Sequence, residues 1–567
     1  MSSSAPWSAT TAHLQQMQQL FAEQWAQALS AFPNVQAPSN APAPVQLDTA
    51  KLQALQQSYV QEASALWSQG GQPSQPLGDK RFGAAEWLSN PMASLTAASY
   101  LLNARALTGM ADAVQADDKT RQRIRFAVEQ WVAAMSPSNY LALNPEALQK
   151  AVSTQGESLA KGLQNLLHDI GQGHVSMTDE RVFTVGQNVA TTEGAVVFEN
   201  EIFQLIEYRP LTAQVHERPF LLVPPCINKY YILDLQPDNS LVRYAVSQGH
   251  RTFVVSWRNP DASLGHLTWD DYIEDAVIRA IEVVRDIGGA AQINALGFCV
   301  GGTMLTTALA VLAARGQSPV ASATLLTTLV DFSDTGILDL FIDEHFVQMR
   351  ELQMGQGGLL KGQELASTFS FLRPNDLVWN YVVGNYLKGE TPPPFDLLYW
   401  NSDATNLPGP WYAWYLRHLY LENQLVQPGR LQVCGVPLDV SAIDVPLYIY
   451  GSREDHIVPI NASYAATQVL GGDKRFVMGA SGHIAGVINP PSKNKRSHWL
   501  RADAALPATL AQWQEGAQEL PGSWWGDWAQ WLQGHAGQRV AAPKRYGRSG
   551  HYRAIEPAPG RYVQQKA

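Results

Sequence analysis

The segment around Cys299 has the residue types and spacing of a nucleophilic turn. The apolar run INALGF (293–298) leads directly into GFCVG (297–301), and the helix-forming run TMLTTALAVLAA (303–314) follows. Glycines on both sides of Cys299 permit a strained turn and a close approach between strand and helix. The turn would place the cysteine at a helix N-terminus, which favours the thiolate, and would aim the Val300 N–H at an incoming carbonyl oxygen. The pattern therefore predicts a cysteine nucleophile.

Two later segments supply an acid and a base in the chain order nucleophile, acid, histidine. The apolar run PLYIYG (446–451) is followed by SREDHIVP, and the run RFVMGA (475–480) is followed by SGH. We expect His483 to deprotonate Cys299 and Asp455 to fix the tautomer and orientation of the imidazole.

Three other residues could replace members of this triad. Glu454 could serve as the acid instead of Asp455, and Asp331, at the end of an earlier apolar run, could supply the acid from another strand. His456 is a second imidazole next to the predicted acid. The sequence leaves these alternatives open.

An oxyanion hole needs a second backbone donor, which usually comes from the loop after an early strand. The segment PPCIN (224–228) follows an apolar run at that place. Ile227 N–H is our candidate, together with Val300 N–H. Cys226 in the same segment is interpreted as a packing residue.

The elements that must position these residues alternate between apolar runs and helices. The runs are PFLLVPP (219–225), TFVVSW (252–257), INALGF (293–298), ATLLTTLV (323–330), PLYIYG (446–451) and RFVMGA (475–480). A helix over 269–287 begins at Thr268 and Asp271, which form a capping-box-like start. The alternation predicts a mostly parallel sheet covered by helices on both faces, and with the cysteine turn it predicts an α/β-hydrolase fold.

The chain divides into two predicted domains. Residues 1–184 read as an α-helical N-terminal domain with linkers near 33–46 and 70–76, and residues 185–567 as the catalytic domain. The aromatic and Pro-rich interval of about 332–440 interrupts the alternation. We expect it to form a cap or lid over one end of the sheet.

Composition excludes several classes of protein. The 40 Lys and Arg against 50 Asp and Glu, a net charge of −10, argue against a nucleic-acid binder. Three cysteines without CxxC spacing argue against a disulfide scaffold or a zinc site. The same cysteine pattern predicts that the protein holds no metal. A start without signal-peptide character and the lack of an 18-residue apolar stretch predict a cytoplasmic protein with no transmembrane segment.

Long sequence blocks in order resemble class I polyhydroxyalkanoate synthases. They are PPCINKYYILDL (224–235), VSWRNPDAS (255–263), GFCVGGT (297–303), FLRPNDLVWNYVV (371–383), GSREDHIVP (451–459), GHIAGVINPP (482–491), KNKRSHW (493–499) and YRAIEPAPGRYV (552–563). The resemblance is dense from about residue 180 onward and looser in the helical N-terminal part. It places the family's Cys, Asp and His on Cys299, Asp455 and His483.

The resemblance implies polymerisation of short (R)-3-hydroxyacyl-CoA thioesters into a polyester with release of CoA. It also implies a homodimer on cytoplasmic polymer granules, whose coat proteins are possible partners, with no cofactor besides the CoA that the substrate carries. Two alternatives remain at this stage. One is a Cys-dependent thioesterase of the same fold, and the other is a non-enzymatic granule scaffold.

Three weaker patterns complete the sequence reading. The basic run 493–496 could meet CoA phosphates or form a solvated loop. An aromatic stripe at helical spacing favours core packing over a granule-facing or dimer-facing surface, and consists of Trp524, Trp525, Trp528, Trp531 and Leu532. Asp234 resembles a family position near the site, without an assignable role.

Overall fold

The computed structural model describes residues 46–68 and 77–567. Residues 33–45 of the first predicted linker and the whole of the second, 70–76, lie outside this part of the chain. The described helices of the N-terminal part end at Gln172, and the first strand of the main sheet begins at Gly194. The predicted domain boundary at residues 184/185 stays a prediction.

A mixed sheet of eleven strands forms the centre of the molecule. In chain order the strands are β1 Gly194–Glu199, β2 Phe203–Tyr208, β3 Phe220–Val223, β4 Thr252–Trp257, β5 Ile293–Phe298, β6 Val320–Leu326, β7 Leu447–Ser452, β8 Lys474–Gly479, β9 Ser497–Leu500, β10 Gln518–Pro521 and β11 Glu556–Pro557. Across the sheet their order is β10-β9-β8-β7-β6-β5-β3-β4-β2-β1-β11. The α/β-hydrolase architecture predicted from the sequence is confirmed.

The sheet is less parallel than the sequence predicts. Strands β3 to β8 are parallel to one another, as the continuous apolar runs indicate. The outer strands β1, β2, β9, β10 and β11 all pair antiparallel. Strands β1 and β2 are separated by residues 200–202, and so short a connection cannot form the crossover that parallel strands need. The expectation of a mostly parallel sheet was therefore wrong at both edges.

Helices cover both faces of this sheet and form the remaining layers. They are α1 Thr49–Ser68, α2 Ala85–Ser89, α3 Pro91–Asp112, α4 Asp118–Ala134, α5 Pro145–Ser153, α6 Glu157–Gln172, α7 Leu241–Ser247, α8 (Trp269–Asp271 continuing through Tyr272–Ile278 and Arg279–Gly288), α9 Val300–Ala314, α10 Glu344–Met354, α11 Gly362–Phe371, α12 Asp396–Ser402, α13 (Gly409–Trp414 continuing through Tyr415–Leu421), α14 Ile460–Val469, α15 His483–Val487, α16 Leu510–Glu515 and α17 Trp525–Gly534. The predicted start of α8 is confirmed, since Thr268 and Asp271 form a reciprocal capping box.

The long insertion lies between β6 and β7 and contains α10 to α13. Two wider helical turns, Asn375–Trp379 and Val382–Leu387, connect α11 to α12. Short two-stranded ladders, Leu359–Leu360 with Leu407–Pro408 and Gln432–Val433 with Val436–Pro437, brace the insertion internally. We refer to residues 332–440 as the cap.

The helical N-terminal part packs against this cap. Polar side chains of α4 to α6 reach across to it: Lys119 donates to Asp339, Lys150 to Glu390, and Tyr386 of the cap donates to Asp169 at 2.6 Å. Gly162 in α6 lies so close to the carbonyl of Tyr386 that a Cβ would come within 2.0 Å of that oxygen. Within residues 46–68 and 77–567, no helix is both long and apolar enough for a membrane span.

Candidate active site

The cysteine turn has a strained backbone that the surrounding structure holds in place. Cys299 joins β5 to α9 with φ 53° and ψ −129°, a left-handed region that non-glycine residues rarely adopt. Its N–H donates to the carbonyl of Leu326 in β6 at 2.9 Å, and its own carbonyl accepts from Gly302 N–H at 2.8 Å. The thiol is therefore presented at the carboxyl edge of the sheet and the N-terminus of α9.

The two glycines that flank the turn are required by close approach. A Cβ on Gly297 would lie 2.4 Å from the Cα of Gly302. A Cβ on Gly301 would lie 2.3 Å from the carbonyl oxygen of Val223 and 2.5 Å from that of Pro224. The second contact joins the start of α9 directly to the loop after β3.

Asp455 and His483 form a buried hydrogen-bonded pair at the same edge of the sheet. Nδ1 of His483 donates to Oδ2 of Asp455 at 2.7 Å, and the two side chains are 4% and 0% exposed. Oδ1 of Asp455 accepts from the N–H groups of Ile457 at 2.8 Å and Val458 at 2.9 Å. The carboxylate is thus fixed from two sides, and Nε2 of His483 is left for the neighbouring Cys299.

The environment of His483 stabilises its charged form. Burial by itself lowers the pKa of the imidazole, but the Asp455 carboxylate and the adjacent Cys299 together raise that pKa well above 6.5. The ring also stacks on Phe298, with centroids 5.7 Å apart. This arrangement can take a proton from a thiol or a hydroxyl group and return it to a leaving group.

None of the three alternative residues forms a hydrogen bond with Cys299 or His483 among the residues that the structure describes. Glu454 pairs with Arg453 and is about half exposed, and Asp331 accepts hydrogen bonds from Ser333 N–H and Asn423. Burial lowers the pKa of His456, whose ring contacts neither Asp455 nor Cys299 through a hydrogen bond among those the described residues form. The geometry therefore favours Asp455 and His483.

The loop after β3 faces the cysteine turn and carries Ile227. Val300 N–H lies in the first turn of α9, where backbone donors have no intrahelical acceptor. Ile227 is half-buried, and the loop that carries it contacts Gly301. Burial raises the pKa of the neighbouring Cys226 thiol, which agrees with a packing role.

Side-chain hydrogen bonds to two other elements hold this loop, and the sequence did not predict them. Pro224 O accepts from the Trp257 indole at 2.9 Å. Asn228, with φ 64°, donates through Nδ2 to the carbonyls of Trp400 at 3.2 Å and Asn401 at 3.1 Å in α12. The chain order of PPCIN gave no sign of these contacts, because the acceptors lie more than 170 residues away.

The cap contributes an aromatic wall beside Cys299. Tyr415 and Tyr420 are close enough for the Cys299 thiol to add to the rise that burial causes in their phenol pKa values. Phe332 packs against both, with ring centroids 6.1 Å and 5.1 Å away. The aromatic richness of the insertion was the sequence signal, but it did not indicate which rings reach the site.

The structure also places the residues of the three weaker sequence patterns. Residues 493–496 are exposed, as a solvated loop requires. The Trp524, Trp525 and Trp528 side chains are 1%, 1% and 0% exposed, so this stripe packs in the core. Asp234 is buried and accepts hydrogen bonds from Thr192 Oγ1 at 2.6 Å and Ser240 Oγ at 2.7 Å.

Comparisons with known proteins agree with this architecture. Residues 78–245 match a family model described as the poly-beta-hydroxybutyrate polymerase (PhaC) N-terminus, and residues 219–490 match the alpha/beta hydrolase fold. The chain is 64% identical to the poly(3-hydroxyalkanoate) polymerase subunit PhaC of Cupriavidus necator, over 92% of this chain and 90% of that one. It is 41% identical to the poly(3-hydroxyalkanoate) polymerase of Methylorubrum extorquens, over 87% and 82% of the two chains.

Proposed function

The chain belongs to the poly(3-hydroxyalkanoate) polymerase family, and from this premise we propose that it converts (R)-3-hydroxyacyl-CoA into polyester with release of CoA. The class I resemblance read from the sequence is confirmed by the 64% identity over nearly the whole of both chains. The observation that carries the catalytic assignment is the buried Asp455–His483 pair beside Cys299 at the strained turn.

The first step is acyl transfer to the cysteine. His483 Nε2 takes the proton of the Cys299 thiol, and the thiolate attacks the thioester carbonyl of the substrate. The N–H groups of Val300 and Ile227 stabilise the developing oxyanion. The carbon–sulfur bond to CoA then breaks and His483 returns the proton to the CoA sulfur, so that one thioester replaces another.

The second step forms the ester. The hydroxyl group of a hydroxyacyl unit loses its proton to His483 and attacks a thioester carbonyl. The thiol that leaves takes the proton back, and the chain grows by one unit. A water molecule at this position would release free acid instead, and we assign its exclusion to the aromatic wall of Phe332, Tyr415 and Tyr420.

Asp455 acts in this scheme through the imidazole. Its side chain is fully buried, and its two oxygens are occupied by His483 Nδ1 and by the N–H groups of Ile457 and Val458. A substrate hydroxyl would have to displace one of these donors to reach the carboxylate. We therefore assign Asp455 the orientation of His483 and the stabilisation of its charged form.

The remaining proposals concern partners and location. We propose that the protein acts as a homodimer in the cytoplasm on the surface of its own polymer granules, where granule coat proteins could contact it. It needs no resident cofactor in this scheme, because the substrate brings its own CoA. We also propose short monomers, such as the 3-hydroxybutyryl unit, as the preferred substrates.

The decisive experiment supplies purified protein with (R)-3-hydroxybutyryl-CoA, follows free thiol, and identifies the product. Thiol release together with insoluble polyester supports the proposal. Thiol release with free 3-hydroxybutyrate alone would instead establish the thioesterase. A protein that releases no CoA from monomers of several chain lengths would be a scaffold.

A further inference from the structure

The helix that carries His483 is short, and its C-terminal carbonyls are held from outside. Helix α15 has five residues, so the carbonyls of its last four residues, 484–487, receive no hydrogen bond from an N–H group within the helix. Ile488 N–H binds the carbonyl of Ile484 at 2.9 Å. The next three carbonyls, of Ala485, Gly486 and Val487, each accept a hydrogen bond from a side chain.

Two of these donors are neighbouring buried tryptophans. Trp524 Nε1 donates to Gly486 O at 3.1 Å, and Trp525 Nε1 donates to Val487 O at 2.9 Å. The third donor is the guanidinium of Arg496, which binds Ala485 O. A five-residue helix has little stability of its own, so its position depends on contacts with neighbouring elements, and these three are among them.

Trp524 also contacts the strand that precedes Asp455. Trp524 stacks on Tyr450 of β7 with centroids 4.4 Å apart, and Asp455 follows three residues after β7 ends. Gly486 touches the end of this strand as well, because a Cβ there would lie 2.2 Å from Ser452 Oγ and 3.0 Å from Tyr450 Oη. One indole thus joins the helix of the base to the strand of the acid.

We propose that Trp524 and Trp525 are positioning residues that hold His483 in register with Asp455 and Cys299, with Arg496 as a weaker third support. We call the two tryptophans the indole clamp. The inference rests on the proposed function of His483 as the base. The buried aromatic stripe then has a role beyond core packing, because the indole N–H groups of Trp524 and Trp525 fix the position of α15 relative to the sheet.

The test replaces each indole by a ring of similar shape without the N–H donor. Trp524→Phe, Trp525→Phe and the double variant are compared with Trp528→Phe, whose indole donates to Thr324 Oγ1 at 3.1 Å. Trp528 is equally buried and lies in α17, which begins at Trp525 directly after Trp524, but its partner is in β6. All variants lose a buried hydrogen bond, and only the clamp variants release α15.

We expect kcat of the double variant to fall about 10- to 100-fold with KM within about twofold, because displacement of a catalytic group by a fraction of an ångström to 1 Å has effects of this size. Trp528→Phe should stay within about twofold of wild type in both constants at a comparable loss of thermal stability. Alkylation of Cys299 by iodoacetamide at fixed pH, followed on its own peptide by mass spectrometry, should slow in the clamp variants alone. If the clamp variants match Trp528→Phe in kcat and alkylation rate, the inference is wrong.

A surface variant keeps the test decisive if the buried variants do not fold. Arg496→Met removes the third donor from an exposed position, and Lys495→Met is its matched neighbour. We expect a lower kcat at unchanged KM for Arg496→Met alone. A rise in KM with unchanged kcat would mean that Arg496 binds CoA and would overturn its positioning role.

An inactive wild type with an unreactive Cys299 would contradict the proposed function itself, whereas an active wild type with unaffected variants contradicts only the clamp.

Discussion

The carboxyl edge of the sheet and the cap differ in the interactions that hold each of them in place. At the sheet edge, the Asp455–His483 pair is almost completely buried, and glycines bring the cysteine turn within contact of the loop after β3. Several contacts between the cap and the N-terminal part are ion pairs at or near the surface: Lys80–Asp376, Lys119–Asp339, Arg123–Asp343, Lys150–Glu390 and Lys388–Glu146.

This difference separates the region that holds the reacting groups from the region that covers them. Close packing permits few alternative arrangements, so Cys299, Asp455 and His483 keep one geometry. Exposed ion pairs contribute only about 0–1 kcal/mol each and weaken in salt, so the contact between the cap and the N-terminal helices can loosen at low cost. A polymerase needs both properties, because its product grows while its reacting atoms must stay in line.

The largest effect should come from removal of the nucleophile. Cys299→Ala is expected to lower CoA release at least about 10³-fold, because no acyl-enzyme can form. The measurement is thiol release combined with the intact mass of the protein after brief exposure to substrate. Cys434→Ala, whose thiol contacts Asp270 O at the base of the cap, should remain active and acquire the acyl mass. An acyl adduct that persists in Cys299→Ala would assign the nucleophile to another residue.

Asp455→Asn should lower kcat about 10²- to 10⁴-fold while leaving the shape of the site intact, since the imidazole loses both its orientation and its counter-charge. The variant also tests the raised pKa of His483. A raised pKa in the folded state stabilises the protein below the unfolded value near 6.5, and this stabilisation is lost as pH rises toward the folded value of about 10.

The difference in thermal midpoint between wild type and Asp455→Asn should consequently be largest below about pH 6.5 and shrink as the pH rises toward 10. Thermal unfolding over this pH range provides the measurement. A difference that stays constant with pH would show that Asp455 stabilises the fold without coupling to the charge of His483.

Gly301→Ala should test the contact between the cysteine turn and the loop of Ile227. The new methyl group would lie 2.3 Å and 2.5 Å from two backbone oxygens, which cannot move aside as a flexible side chain can. We expect a loss of activity of about 10- to 100-fold and a lower thermal midpoint. Gly526→Ala in α17 meets nothing within 4 Å and should be neutral or slightly stabilising. Equal behaviour of the two variants would contradict the packed turn.

The smallest effect should be that of salt on the cap. Raising NaCl from about 0.1 M to about 1 M shortens the screening length from about 10 Å to about 3 Å. We expect hydrogen exchange to increase a few-fold in residues 336–390 and to stay unchanged in β5 and α15. The triple variant Lys119→Gln, Arg123→Gln and Lys150→Gln should reproduce the change at low salt. Arg209→Gln, which breaks an exposed pair with Glu193 away from the cap, should not.

The residues that the sequence singled out lie together at one edge of the sheet, whereas the edge strands of that sheet were not predicted. Cys299, Asp455 and His483 each follow an apolar run that forms a buried parallel strand, and such strand ends meet at one edge of a sheet. The edge strands β1, β2, β9, β10 and β11 were missed. Their identity as strands depends on neighbours that the local sequence does not specify.

The sequence by itself determined the fold class, the family and the order of the chemical groups, because strand, turn and helix signals are local and the glycines on both sides of Cys299 mark the tight turn. Only the tertiary structure decided which carboxylate meets His483, which cap rings stand beside Cys299, and that the indoles of Trp524 and Trp525 donate to α15. These relations join residues that are 28 to more than 100 positions apart. They follow from packing between elements, which no periodicity along one element can express.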